Sequence, residues 1–132
     1  VGTIDLTTLK MTMLGDFSGA LAGKPAELTG TGEGKLFGFF GTSPATLAEI
    51  AKTTGATSND TTLTGVDIGN AFAFSFWGGD FWFYTSDGPS PSKVTQLKAS
   101  ANNEISVVKQ DVGGFRIVGA GVSTCAPTFP PK

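Results

Sequence analysis

The chain has no histidine, and Cys125 is its one cysteine. Without imidazole there is no His-based general base, no Ser-His-Asp triad and no zinc site of the usual Cys/His kind, so most familiar hydrolase mechanisms drop out. Charge is also scarce. Charged residues make up 15% of the chain, against about 25% in an average soluble domain. Arg116 stands alone beside scattered lysines, the formal charge is −2, and no cationic stripe offers a nucleic-acid backbone a grip. No apolar run approaches the roughly 20 residues of a membrane-spanning helix, and no charged-then-apolar leader opens the chain. A soluble chain without a membrane span is expected, its export signal removed or lying upstream. Cys125 sits in the Pro-rich segment STCAPTFPPK with no neighbouring base or cation to lower its pKa. It reads as a half-buried thiol in an extended, surface-lying tail over 125–132, or as one half of a disulfide to a segment not present here.

What is present is glycine, 19 of 132 residues, with abundant Thr and Ser and a dense set of aromatics. That composition is β-rich and turn-rich, and the length suits one domain with one core. The chain also repeats itself. SPATLAEI from Ser43 lies over SPSKVTQL from Ser90 at a shift of 47, and GKLFGF from Gly34 lies over GDFWFY from Gly79 at a shift of 45. The ends resemble pieces of the same unit. Ile4 to Thr8 matches Ile50 to Thr54, and Ile117 to Gly121 matches Phe72 to Phe76. The expected organisation is a half unit over 1–25, full units over 26–70 and 71–114, and a partial unit over 115–124.

Each full unit reads as four short strands: Glu27 to Thr31 and Ala71 to Phe76, Leu36 to Phe40 and Phe81 to Thr85, Thr46 to Lys52 and Lys93 to Lys98, then Thr61 to Val66 and Glu104 to Lys109. Met11 to Leu14 is the counterpart of the last strand in the half unit. Gly-containing turns separate the first two strands of each unit. One segment argues back: SPATLAEIAKTTG has Ser at an N-cap, Pro at N1 and a closing Gly55, a respectable short helix by propensity. Its partner SPSKVTQLKASANN is much poorer in helix formers, and repeats share a structure, so a strand is expected at both.

Recurring four-stranded units of about 40 to 50 residues mark the blades of an all-β propeller. The order resembles that of bacterial secreted propeller proteins whose blades carry Ile-Asp-x-x-Thr-Gly between strands, surviving here as Ile4 to Thr8 and Ile50 to Gly55, with Ala51 and Lys98 where the first copy has Asp5. The phrases LFGFF, SPATLAEI, TTGAT and GFRIVGAGVSTCAP are also similar to uncharacterised secreted proteins of myxobacterial type, a likeness that implies a secreted or cell-surface location and no particular activity. A propeller closes with about four to eight blades, and this chain carries fewer than three. It is therefore expected to belong to a longer protein with further N-terminal blades, to complete a ring by self-association, or to fold instead as a β-sandwich or barrel.

The aromatic stretch Asn70 to Gly88 alternates as strands do, placing Phe72, Phe74 and Phe76 on one face, and Phe81 and Phe83 opposite Trp82 and Tyr84. Packing between blades accounts for the set. A carbohydrate platform would need Trp77 and Trp82 exposed, and Trp77, beside the turn, is the residue with fewest neighbours. On the face carrying the connections between units, Asp16, Asp67, Asp87 and Asp111 are the acids best placed to converge. Loop carboxylates and carbonyls there would suit Ca²⁺, although no Asp-x-Asp-x-Asp-Gly spacing is present and isolated loop aspartates form turns first. Gly30 to Lys35 lacks phosphate-loop spacing and reads as a hairpin turn. The leading functional expectation is a noncatalytic binding or scaffold protein whose loop face meets a glycan or another protein. The alternative is a fragment of a Ca²⁺-dependent enzyme with its catalytic groups in missing blades.

Overall fold

The computed structural model describes residues 1–123 and 125–130. It is all-β, with ten strands and one short 3-10 turn, Gly19–Leu21, among the described residues. The strands are β1 (Gly2–Ile4), β2 (Met11–Met13), β3 (Ala26–Gly30), β4 (Leu36–Phe40), β5 (Thr46–Ile50), β6 (Thr57–Thr62), β7 (Ala71–Trp77), β8 (Asp80–Ser86), β9 (Lys93–Lys98) and β10 (Glu104–Lys109). They form three open antiparallel sheets: the pair β1-β2, the meander β3-β4-β5-β6 and the meander β7-β8-β9-β10.

The segment with helical propensity is a strand. β5 is central in its sheet, flanked by β4 and β6. It buries Leu47 toward one side and Ala48 and Ile50 toward the other, a two-sided burial that alternation serves and a one-faced helix would not. The last strand of the first full unit is displaced from expectation, Thr57–Thr62 rather than 61–66. The Leu63 N–H donates to the Ala45 carbonyl at 2.8 Å and the Ala45 N–H to the Val66 carbonyl at 2.9 Å. Residues 63–66 therefore fold back on the loop after β4, and Leu63 and Val66 plug the core. Asn59, at positive φ, accompanies a shift in the β5-β6 register between Leu47 and Glu49.

The two meanders stack, with β3 beside β7. The core between them is aromatic: Phe39 is 0% exposed and meets Phe83, Phe72 and Phe74 at ring-centroid distances of 4.7, 5.7 and 5.8 Å. Phe37 packs on Phe81 at 4.8 Å. The opposite face of the first meander is covered by the N-terminal segment, where Phe17 meets Phe40 edge-on at 4.8 Å and Leu21 joins Ala48 and Ile50. The C-terminal segment crosses between the turns that follow β3 and β7. Ala126 is buried in the core, and the Gly78 N–H donates to the Pro127 carbonyl at 2.9 Å. That end of the chain is thus anchored at Ala126, not wholly surface-lying.

The N-terminal hairpin repeats the later one in detail. Asp5 N–H donates to Lys10 carbonyl and Leu9 N–H to Asp5 carbonyl, and 46 residues on Ala51 N–H donates to Ala56 carbonyl and Gly55 N–H to Ala51 carbonyl. Leu9 holds φ 54° where the second copy has Gly55 at φ 77°. Its docking differs, however. Gly15 lies against the Thr54 carbonyl, so the chain leaving β2 meets the turn between β5 and β6 rather than the opposite end of the sheet. Ile4 is accordingly 60% exposed where its counterpart Ile50 is 2% exposed. At the other end, the strand expected over 117–121 does not form. The Ser92 N–H donates to the Phe115 carbonyl and Ser92 Oγ accepts from the Ile117 N–H, both at 2.8 Å, and the segment runs on without a ladder.

Candidate functional site

Two regions of the molecule gather the residues singled out from the sequence. The first is the face of the second meander that points away from the first. Register sets its membership: Trp82 lies opposite Ser75 and Gln96, Tyr84 opposite Ala73 and Val94, and Trp77 opposite Asp80. Directly paired residues share a face, so Trp77, Trp82 and Tyr84 all project from this side. Trp77 is 47% exposed, and Trp82 and Tyr84 are half-buried.

The polar atoms of this strip already have partners. Trp82 Nε1 donates to the Trp77 carbonyl at 3.1 Å, Ser75 Oγ and the Tyr84 hydroxyl share a hydrogen bond of 3.0 Å, and Gln96 Nε2 donates to Asp80 Oδ2 at 2.8 Å. The rings of Trp82 and Tyr84 are thereby held in place, and Trp77 beside them is the exposed one. On the first meander the counterparts of Trp82 and Tyr84 are Phe37, opposite Thr29 and Glu49, and Phe39, opposite Glu27 and Leu47. Those two phenylalanines pack against the second meander. Where the repeat is covered it uses Phe, and where it is open it uses Trp and Tyr. Tyr84 and Ser75 were not among the sequence candidates, although alternation from Trp82 points to Tyr84.

The second region is a cavity of about 270 Å³ where the connection leaving the first meander meets the loop between β8 and β9. Asp67 and Asp87, from two loops, line it together with Ser86, Ser90, Lys93 and Gln110. Asn70 braces the loop from behind: the Asn70 N–H donates to the Ser86 carbonyl at 2.8 Å, and Asn70 Oδ1 accepts from the Gly88 N–H at 2.7 Å. Gly69, at φ 60°, permits the approach, because a Cβ there would run into the Ser86 carbonyl and Asp87 Oδ1.

Asp111 and Asp16 stand apart from this pair. Asp111 Oδ1 accepts from the Gly114 N–H at 2.9 Å, which is turn chemistry, and Asp111 does not line the cavity. Asp16 lies on the side of the Gly55 turn. Among the described residues no three acidic or cysteine side chains gather as a metal ligand set. Cys125 is free and exposed. No protein-family model, curated protein or solved structure matches the chain.

One ionisable group outside both departs from its usual range. The carboxyl of Asp5 is held below 3.8, first by the Thr8 backbone N–H, then by the Thr8 hydroxyl and the Thr7 N–H. Oδ1 accepts the two backbone donors at 2.7 and 2.9 Å. This is the stabilised turn of an exposed hairpin.

Proposed function

We propose that this protein is a noncatalytic, secreted or surface-located binding module, built of propeller-type four-stranded units, that recognises glycans through the Trp77, Trp82 and Tyr84 face. The observation that carries the reading is the exchange at equivalent positions, Phe37 and Phe39 on the covered face against Trp82 and Tyr84 on the open one. Indole and phenol rings join an apolar face to a polar handle and suit a surface that meets both water and a ligand. A sugar ring offers C–H groups to an aromatic face and hydroxyls to flanking polar atoms, here those of Gln96 and Asp80. The propeller part of the reading is supported by the meander order of both sheets and by the side-by-side placement of β3 and β7.

A glycan array followed by titration of the best hit tests the reading. Trp82→Ala and Trp77→Ala are each expected to weaken binding about tenfold, the equivalent of one lost aromatic contact. Retention of full affinity by the double variant would overturn it. The competing occupant of the same face is another four-stranded unit, from a second copy or from chain upstream of Val1. Sedimentation of this chain detects a second copy, which gives a mass above 13.5 kDa, and the glycan array on a longer chain detects an upstream unit, which abolishes the hit.

A further inference from the structure

The C-terminal segment lies in a groove that its own residues fill only in part. Gly32, in the turn after β3, and Gly79, in the turn after β7, come from different meanders and face the same stretch of chain. A Cβ on Gly32 would run into the Ala126 carbonyl, and one on Gly79 into that of Thr128. Gly32 is not among the glycines at positive φ, so close approach, not backbone conformation, accounts for its missing side chain. Between these contacts the Gly78 N–H donates to the Pro127 carbonyl at 2.9 Å. Proline brings no N–H that would need a partner in the groove, and the methyl group of Ala126 is buried in the core at 3% exposure. At the next residue the fit ends. A cavity of about 210 Å³ stands beside Thr128, the apolar part of its wall formed by Phe37, Phe76, Phe81 and Ala99, while Phe129 is 77% exposed.

We propose that this groove is a peptide-binding site for an extended segment of another protein, of the form small residue, proline, large apolar residue, and that Ala126–Thr128 is its resident competitor. The contacts to Gly32, Gly78 and Gly79 are made through main-chain carbonyls, so any extended segment repeats them. Selectivity then rests on two side chains. The Ala126 slot takes a small one, because a larger one would overpack the core. The cavity takes an apolar one, since the threonine there leaves its aromatic wall short of contacts. A leucine at that third position buries apolar area that the resident segment forgoes, and so displaces it. A second copy of this chain would bring the same threonine and gain nothing over the resident. The groove lies between the two meanders, apart from the Trp82 face, and does not depend on glycan binding.

Calorimetric titration of the intact chain with the capped peptides Ala-Pro-Leu-Phe-Pro and Ala-Pro-Thr-Phe-Pro tests it. The leucine peptide is expected to bind about tenfold more tightly than the threonine peptide, the worth of one buried apolar side chain, and to shift the amides of Gly32, Gly78 and Gly79. Thr128→Leu gives the resident segment the side chain it lacks and should weaken binding of the leucine peptide about tenfold, with a raised thermal midpoint. Ala126→Asp expels the resident segment and should strengthen binding about tenfold or more, because the open groove no longer has to be vacated. Trp82→Ala should leave peptide binding intact. Absence of heat and of those amide shifts in the unmodified chain at millimolar leucine peptide would overturn the assignment. So would equal affinity for the two peptides, or leucine-peptide binding that Thr128→Leu does not weaken.

Discussion

Phe39 and Tyr84 occupy the same place in successive repeats, one on a covered face and one on an open face, and truncating each to alanine measures what the cover is worth. Phe39 is fully buried and touches three rings, with the nearest centroid at 4.7 Å. Removing a buried Phe costs about 3–5 kcal/mol in lost transfer energy and residual cavity. The upper half of that range applies here, because Phe39 comes from the first meander and its three neighbouring rings are fixed on the second, so the gap between the sheets cannot collapse easily. Tyr84 is half-buried and shares one hydrogen bond with Ser75. Its loss is expected at about 1–2 kcal/mol, combining one modest hydrogen bond with part of an apolar area. Urea unfolding followed by tryptophan fluorescence reads both. With a slope of about 2 kcal/mol/M, Phe39→Ala should lower the midpoint by roughly 2 M and Tyr84→Ala by less than about 1 M. Equal losses at unchanged slope would refute the reasoning, because they would mean that the Tyr84 face is as covered as that of Phe39.

Other outcomes follow from particular contacts. The Asp5 carboxyl is bound in the native hairpin and its pKa lies below 3.8. Its contribution is therefore present above the unfolded value and is lost as pH falls through the lower native one. An NMR titration should show the Thr7 and Thr8 amides moving together with a midpoint below that of Asp in the urea-unfolded chain, and an equal or higher midpoint would contradict the hydrogen bonds. Gly69→Ala places a Cβ against the Ser86 carbonyl at a left-handed backbone position, and about 2 kcal/mol of stability should go with it, read as a lower thermal midpoint. Ala126→Asp would bury a carboxylate against the core and should cost about 3 kcal/mol or more, read as a lower thermal midpoint. A neutral result would show that the C-terminal segment is not docked between the two turns.

Much of the fold was legible because β structure leaves a period of two in the sequence. Phe72, Phe74 and Phe76 alternate, as do Phe81 and Phe83, and the register places both sets on the buried side. The match of Ser43-Pro44 with Ser90-Pro91 settled a local ambiguity, since propensity favoured a helix at Thr46–Ile50 and the poorer helix former at Lys93–Lys98 did not. The displaced β6 was not legible. Thr61 to Val66 alternates well enough for a strand, but Leu63 and Val66 are used by a fold-back onto Ala45, a tertiary contact with no local mark. Among the candidate residues, Asp67 and Asp87 meet in one cavity, whereas Asp111 serves its own turn. A short-range turn and a long-range site use the same residue type, and spacing does not separate them.

Most strands and their repetition are written locally, since alternation, glycine turns and copied phrases are properties that a segment carries wherever it is placed, β6 and residues 117–121 being the exceptions. Tertiary structure alone decided which faces are covered. The N-terminal hairpin shares two turn-closing backbone bonds with its later counterpart, yet Ile4 is exposed and Ile50 is not. Covering a sheet face requires a second surface brought from elsewhere in the chain, and no residue encodes by its own identity whether that surface arrives. The same holds for Trp77 and Trp82, whose chemistry is written in the sequence and whose availability depends on what is stacked beside them.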